Sequence, residues 1–586
     1  NKPRSTASVH PPPSICRSGG RRCPDPMAME TSPRVHRRLR KASDLSIATI
    51  APPSFKRMRM SKEHISCCED MISSLPDEIL IMILDKLDAC TTITTTVLSK
   101  RWLDLPRRSH TCYDLSVYEI LPPRYHRLKK IIMEAKAGYE AEKKAQNLID
   151  SCAFKDQYDR FYAVRDQYER WMGKVRLLTP ILQRYERLAM RRFVKRVNAF
   201  LLPPNNVQQR STQKLRLQTF CTSGFNQWIM AAIGRWGVED LEIVIENSWR
   251  PYDFRLLDGY QNVRLRRLVL SNCYHYDGHT PLIFQRLTTL TLCNESSGIR
   301  LVYDILRDCV QLVDLRLKNS PYHPRAYRYD FPASMLKNLQ LDNCSIWKIY
   351  LTSLPCLETF AFRGRPTRLH YGDVPRLRHV SLDFLETGDN DDNDNLRRNS
   401  TYPLGKFFKG TPPPLEYLVL QLRGHQMWIE PTVIPSRLNH LNKLFIANVP
   451  MSWDTFWIFI LLAAAPFLQS LHVHFDSNSE KASAAGSLDV VQVEQPQQHR
   501  HLRELVVIGF DGAPCQTGFV KRVMRASRWL GRVHLLDGHV VEDEERGLID
   551  LEVVRHRREW HECERLEVLD ELTDGTGFPW HKIVLE

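Results

Sequence analysis

From about residue 212 onward, apolar and polar positions alternate in short bursts, and the bursts recur along the chain. Leu265, Leu268 and Leu270 form one burst. Leu287, Leu290 and Leu292 form the next, followed by Leu312, Leu315 and Leu317 and then Leu336, Leu339 and Leu341. Looser copies follow at Leu357, Phe360, Phe362 and at Leu377, Val380, Leu382. Later ones start at Leu415, Leu441, Leu468 and Leu502, and an earlier one is Val238, Leu241, Ile243. From Leu265 to Leu377 successive starts lie 22, 25, 24, 21 and 20 residues apart. A period of two predicts a short strand with its apolar side turned inward. A fixed spacing of this length predicts stacked units that share one core. Asn272-Cys273, Cys293-Asn294, Asn319 and Asn343-Cys344 close these strands, and an Asn there can bond neighbouring backbone groups at a turn.

Upstream the period changes. Leu75, Ile79, Ile83 and Leu87, with Leu80 and Leu84 beside them, make a stripe of helical period. Ser74 reads as the N-cap, Pro76 falls in the first turn, and Asp77 and Glu78 sit at the positive end of the dipole. A second short helix is expected to carry Val97, Leu98 and Trp102. Residues 120–203 read as strongly charged helix, with Lys130 and Glu134 spaced for an ion pair and Glu140, Glu142, Lys143 and Lys144 in one polar run. Tyr158, Phe161, Tyr162, Tyr168 and Trp171 follow, on a spacer whose aromatic side is expected to pack on its neighbours. The longest apolar run, Phe456 to Leu468, is broken by Pro466 and is too short to span a bilayer, so it predicts a buried helix.

Composition refines this picture at the ends and insertions. Residues 1–69 hold Pro11-Pro12-Pro13, Gly19-Gly20, Pro52-Pro53 and basic clusters at Arg37–Lys41 and Lys56-Arg57, and are expected to be disordered. A nuclear-import signal is one reading of the basic clusters. The sequence starts at Asn1, which makes Met27 or Met29 candidate starts. The run Gly388–Asp394 lacks the Gly and terminal Glu of a calcium loop, and with Ser477–His499 it reads as a solvated insertion. The net charge of +15 is spread along the chain, which favours weak steering toward acidic partners over nucleic-acid binding as the main role. The 15 Cys are scattered without a C-x-x-C pair, and Cys273, Cys293 and Cys344 end apolar strands. That usage fits a reducing compartment, nucleus or cytoplasm.

Motifs for phosphate-cradling loops, dinucleotide binding and nucleophile elbows are lacking. His561-Glu562-Cys563-Glu564-Arg565 echoes a metalloprotease helix but misses the second His. No enzymatic activity, cofactor or metal is expected.

Leu75-Pro76-Asp77-Glu78-Ile79-Leu80, then Ile83-Leu84 and Leu87, then Val97-Leu98-Ser99-Lys100-Arg101-Trp102, resembles the F-box motif in the form common in plants. Asp88-Ala89-Cys90 replaces the usual Pro-containing link, and Leu103-Asp104-Leu105-Pro106 the usual ending with a second Trp. F-box proteins dock on a Skp-type adaptor that joins them to a cullin. The resemblance implies that Leu75, Pro76, Ile79, Leu80, Ile83, Leu84, Val97, Leu98 and Trp102 lie in or support that interface. The residues agree in one respect: so short a unit rarely builds a self-sufficient core, and its apolar stripe must be completed by the rest of the chain or by a partner.

The repeats resemble the leucine-rich-repeat half of plant F-box proteins, and Leu502–Leu535 and Gly577-Phe578-Pro579-Trp580 are similar to their C-terminal ends. The implied fold is α/β. An F-box (70–115) leads through a charged helical spacer (116–205) to a curved solenoid (206–540) with a parallel sheet on its concave face, and a cap or tail (541–586) follows. Glu242, Thr291, Arg316, Gln340, Arg378 and His472 are the candidates for binding a target protein on that face. The expected function is a non-catalytic substrate adaptor of a cullin-based ubiquitin ligase, with no membrane partner. The competing reading is a basic nucleic-acid-binding repeat protein, and a hidden hydrolase ranks third.

Overall fold

The computed structural model describes residues 71–586 apart from 96–97, 100, 104, 106–109, 148–153, 203–211, 221–223, 247–250, 254–263, 275–279, 281, 295–298, 321–326, 345, 347, 365–366, 386–412, 424–437, 452–454, 477–497, 544–545 and 557–559. Contacts divide the chain into Asn1–Met71 and Ile72–Glu586, and the second unit holds the architecture. The basic N-terminal segment, the acidic run at 388–394, nearly all of the 477–499 insertion, and Val97 lie outside the described residues, as do the side chains of Tyr158 and Phe161.

Each sequence burst is a strand, and the strands line up in chain order as one 15-stranded parallel sheet. It runs through Cys112–Ser116, Lys214–Thr219, Asp240–Ile245, Arg267–Ser271, Thr289–Cys293, Asp314–Lys318, Asn338–Asp342, Thr359–Gly364, His379–Leu385, Tyr417–Arg423, Lys443–Pro450, Ser470–Asp476, Glu504–Ile508 and Arg532–Leu536, and ends at Ile583–Leu585. The register explains the alternation. Leu241, Leu268, Leu290, Leu315, Leu339, Phe360 and Val380 stand side by side on successive strands, all buried on the same side. Every coil thus contributes the same apolar pair to one continuous core, which no single coil could bury alone.

The return half of each coil varies. Tyr327–Asp330, Lys348–Ser353 and Arg368–Asp373 form a second, three-stranded parallel sheet, whereas helices Ile299–Asp308, Phe456–Ala464 and Pro514–Ala526 serve elsewhere. The apolar run at 456–468 is accordingly a short helix with Trp457, Ile458, Phe459, Leu461 and Leu462 buried. Among the described residues, no helix is long and apolar enough to cross a membrane.

Asn272, Asn294, Asn319 and Asn343 close four consecutive strands with φ between 50° and 52°. Asn tolerates this left-handed region better than most side chains. Each of their backbone N–H groups donates to a carbonyl on the next strand, from Cys293, Lys318, Asp342 and Arg363 at 2.8–2.9 Å. The Asn343 amide also donates to Asn319 Oδ1 at 2.9 Å. The turn residue thus prolongs the ladder by one bond per coil.

The sheet draws strands from outside the leucine-rich stretch. Its first strand, Cys112–Ser116, precedes the helical spacer, so helices Pro123–Asn147 and Phe154–Leu201 are inserted between the first two strands. Phe193, Val197 and Phe200 of the long helix are buried near Trp228, Trp236 and Tyr113. Farther along, Tyr139 stacks on Trp171 at 5.4 Å with Tyr168 edge-on at 5.5 Å, while Tyr162 and Tyr168 stay partly exposed. Lys130 and Glu134 approach to 3.7 Å, both well exposed.

After Arg532–Leu536 the chain leaves the sheet as an antiparallel hairpin, Gly538–Asp543 and Gly547–Arg555. Gly538 permits the crossing, because a Cβ there would stand 2.5 Å from the Val554 carbonyl oxygen. Helix Glu562–Thr573 then packs on Pro514–Ala526, with Thr517 Oγ1 donating to Glu571 at 3.0 Å. His561 precedes that helix, and no cluster of metal-ligating side chains occurs among the described residues.

Candidate functional site

Two surfaces carry the residues singled out from the sequence. The first is the small helical unit. Its helix spans Asp77–Leu84 and starts at Pro76 with no side-chain cap, so Ser74 is not the N-cap; it ends a separate turn, Met71–Ser74. The second helix also differs from expectation. It is Ala89–Thr94, begun by Asp88, whose carboxylate accepts from Thr91 N at 2.8 Å and Thr91 Oγ1 at 2.6 Å. A capping Asp accounts for the departure at 88–90, since it starts the helix without proline. Trp102 follows on a 3-10 turn, Arg101–Leu103.

These elements close a miniature core. Leu80, Leu84, Trp102 and Leu105 are buried together, with Leu75 and Ile81 packed against them. Arg101 ties the ends, donating to Asp77 Oδ1 at 2.8 Å and to the Leu75 carbonyl at 2.5 Å. Ile93 turns the other way and lines a small cavity with Leu115, Ile120, Phe193 and Val197, anchoring the unit to the first sheet strand and the long helix.

The proposed interface residues therefore separate. Leu80, Leu84 and Trp102 hold the unit together from within, and Leu75 is half-buried. Pro76, Ile79, Ile83 and Leu98 are exposed, Leu98 to 64%. Ile79, Met82 and Ile83 stand at i, i+3 and i+4 on one stripe, and Met82 is 63% exposed. Ile72 and Leu87 are exposed as well. These side chains give so small a unit a cluster of large apolar groups turned outward.

The second surface is the side of the main sheet turned away from the core. Its central row runs Asp114, Arg216, Glu242, Val269, Thr291, Arg316, Gln340, Ala361, Ser381, Val419, Phe445, His472 and Val506, one residue per strand. Its early members are charged and paired: Arg216 meets Asp114 and Glu242, each at 3.0 Å, while Arg267 beside them holds both Asp240 oxygens at 2.8 and 2.9 Å.

Its later members are covered by the hairpin. Val419, Phe445, Ala447, Val506, Ile508 and Leu536 form a second apolar layer with Leu551, Val540 and Val553, and Ala361 meets Leu548 and Ile549. Polar groups fasten the cover. Tyr417 donates to Asp550 Oδ1 at 3.1 Å, and Arg363 pairs with Asp383 at 2.7 Å and with hairpin residue Glu542. Burial holds the His379, His472 and His474 imidazoles down at about 4.

The six face candidates fall accordingly. Glu242, Thr291 and Arg316 lie on the uncovered half, although Thr291 is largely enclosed and Arg316 sits beside the hairpin turn, 3.6 Å from where a Cβ on Gly547 would stand. Gln340 does not offer surface, since its amide is consumed by the hairpin. It donates to the Arg546 carbonyl at 2.9 Å and accepts from Leu548 N at 3.3 Å. His472 is half-buried against Phe445, 3.0 Å from Ser470 Oγ. Arg378 precedes its strand and pairs with Glu416 at 3.2 Å, at the sheet's rim.

A one-strand-per-coil parallel sheet with inward leucines, carried behind a small two-helix unit with an outward apolar stripe, defines an F-box protein with a leucine-rich-repeat body. Comparison with protein families agrees: an F-box domain matches residues 72–111, and the family described as At1g61320/AtMIF1, LRR domain, matches residues 206–543. The latter match covers more than half of the chain, and the chain belongs to that family. No curated protein matches it.

Proposed function

We propose that this chain is the substrate-recognition subunit of a cullin-based ubiquitin ligase. The exposed stripe of Ile79, Met82, Ile83 and Leu98, with Pro76 and Leu75 at its end, seats a helix of a Skp-type adaptor. Leu80, Leu84 and Trp102 support that stripe from beneath. The uncovered half of the sheet, around Glu242, Thr291 and Arg316, receives the target protein. Ubiquitin transfer itself is left to the partners, and the site of action is the nucleus or cytoplasm.

The observation that carries this reading is the outward apolar stripe of a unit whose buried core, among the described residues, is formed by Leu80, Leu84, Trp102 and Leu105. The test is co-purification of the full chain with a Skp-type adaptor. Ile79→Asp with Ile83→Asp places two charges on the stripe while leaving Leu80 and Leu84 untouched. Capture is expected to be lost, because large apolar anchors in an interface are worth about 2 kcal/mol or more each. An unchanged melting temperature would show that the repeats still fold. Retained capture by this variant, or no capture by the unmodified chain, removes the proposal.

A further inference from the structure

The long helix Phe154–Leu201 buries Leu182, Ala189, Met190, Phe193 and Val197 on one side and leaves the opposite side bare. On that bare side Lys174, Leu177, Ile181, Arg184, Leu188, Arg191 and Lys195 recur at steps of three and four residues. This is the heptad spacing of a helix–helix seam, sustained over about 30 Å of helix. All seven are exposed, Leu177 to 74%. Leu177, Ile181 and Leu188 form the apolar centre, and exposed Arg176, Arg187 and Arg192 add cations at its margins.

Single exposed apolar residues are ordinary on any surface. Three in heptad register with one another form a continuous ridge. Charge narrows what covers it. Between residues 174 and 195 the acids number one, Glu186, and its carboxylate accepts from Tyr125 OH at 2.8 Å away from the ridge. Lys174, Arg184, Arg191 and Lys195 form no ion pair among the described residues. A second copy of this helix would set cation against cation along the whole seam, which disfavours self-pairing.

We infer that this ridge is the docking site of an acidic amphipathic helix from a partner protein. The partner's apolar a and d side chains pack between Leu177, Ile181 and Leu188, and its flanking carboxylates meet Arg184, Arg187, Arg191 and Lys195. The site is independent of the F-box stripe and of the sheet face, and it stands or falls apart from the ligase reading.

The test uses the full chain and a fluorescein-labelled three-heptad peptide with Leu at a and d and Glu at e and g, followed by anisotropy. Saturable binding is expected. Leu177→Asp with Leu188→Asp weakens it tenfold or more, the equivalent of about 1.4 kcal/mol. Arg184→Glu with Arg191→Glu weakens the Glu peptide and recruits a matched peptide with Lys at e and g. The melting temperatures of both variants confirm that the helix still folds. Three results overturn the proposal: no saturation by the Glu peptide, equal binding of the Lys peptide by the unmodified chain, or indifference to both double substitutions. Binding confined to phosphatidylserine vesicles or to an oligouridine strand, or a dimer that Leu177→Asp dissolves, also overturns it and assigns the ridge to that occupant instead.

Discussion

The uncovered and covered halves of the sheet's outer face share one backbone and one register, yet their chemistry is opposite. From Asp114 to Arg316 the central row is mostly charged, with ion pairs half in water. From Ala361 to Val506 it turns mostly apolar and accepts a hairpin laid across it. The inward row stays apolar and buried through both halves. The repeat pattern that specifies the fold therefore says nothing about which part of the surface is free. The outward row says it, through the point where charge gives way to Ala, Val and Phe.

The comparison is open to direct attack. Arg363→Met removes one partner from an ion pair whose Asp383 side chain is only 1% exposed. Stranding that carboxylate is expected to cost about 3–5 kcal/mol, read as a shift of the urea midpoint. Phe445→Ala, under the hairpin, should follow at about 3 kcal/mol and raise dye binding to exposed apolar surface.

Acid should act on the covered half next. His379 and His474 lie beside hairpin residues, His472 stands in the same row, and burial keeps each neutral until about 4. The unfolded chain takes up the same protons near 6.5. Their stabilisation is thus complete above pH 6.5 and is lost as pH falls from there toward 4. A melting temperature that drops between pH 7 and pH 5, and drops less in His379→Gln, is the expected result; a flat profile would place the hairpin elsewhere. The smallest effect belongs to Arg216→Met. It repeats the Arg363 change on the uncovered half, where a solvated pair is worth at most about 1 kcal/mol. If the two arginines prove equal, the distinction between the halves collapses.

Much of this was legible in the sequence. Repeats give strands because period-two leucines can bury only one face, and the strands lie where Leu265 through Leu382 place them. The helical stripe at 75–87 was equally plain, while its termini were not. Ser74 and Asp88 are both capping residue types, and only tertiary packing decides which of them caps. The apolar period around Trp102 does not separate a 3-10 turn from an α-helix, because so short a turn spans too few residues. The first strand, Cys112–Ser116, lacks the repeat's leading leucine. The hairpin leaves a signal in the outward row: Val419, Phe445 and Val506 stand where a solvated face calls for polar residues. Gln340 is the candidate contact that the hairpin takes up.

The position of the hairpin along the chain also sets a timetable. Phe445 leaves the ribosome roughly 100 residues ahead of Val540 and Leu551, which at about 5–20 residues per second is an interval of some 5–20 s. Throughout it a greasy strip of nascent sheet has no lid. Chains truncated before Gly538 would make that bare interval permanent, yielding polypeptides that solicit chaperones or coalesce on emergence while their inward leucines remain correctly stowed.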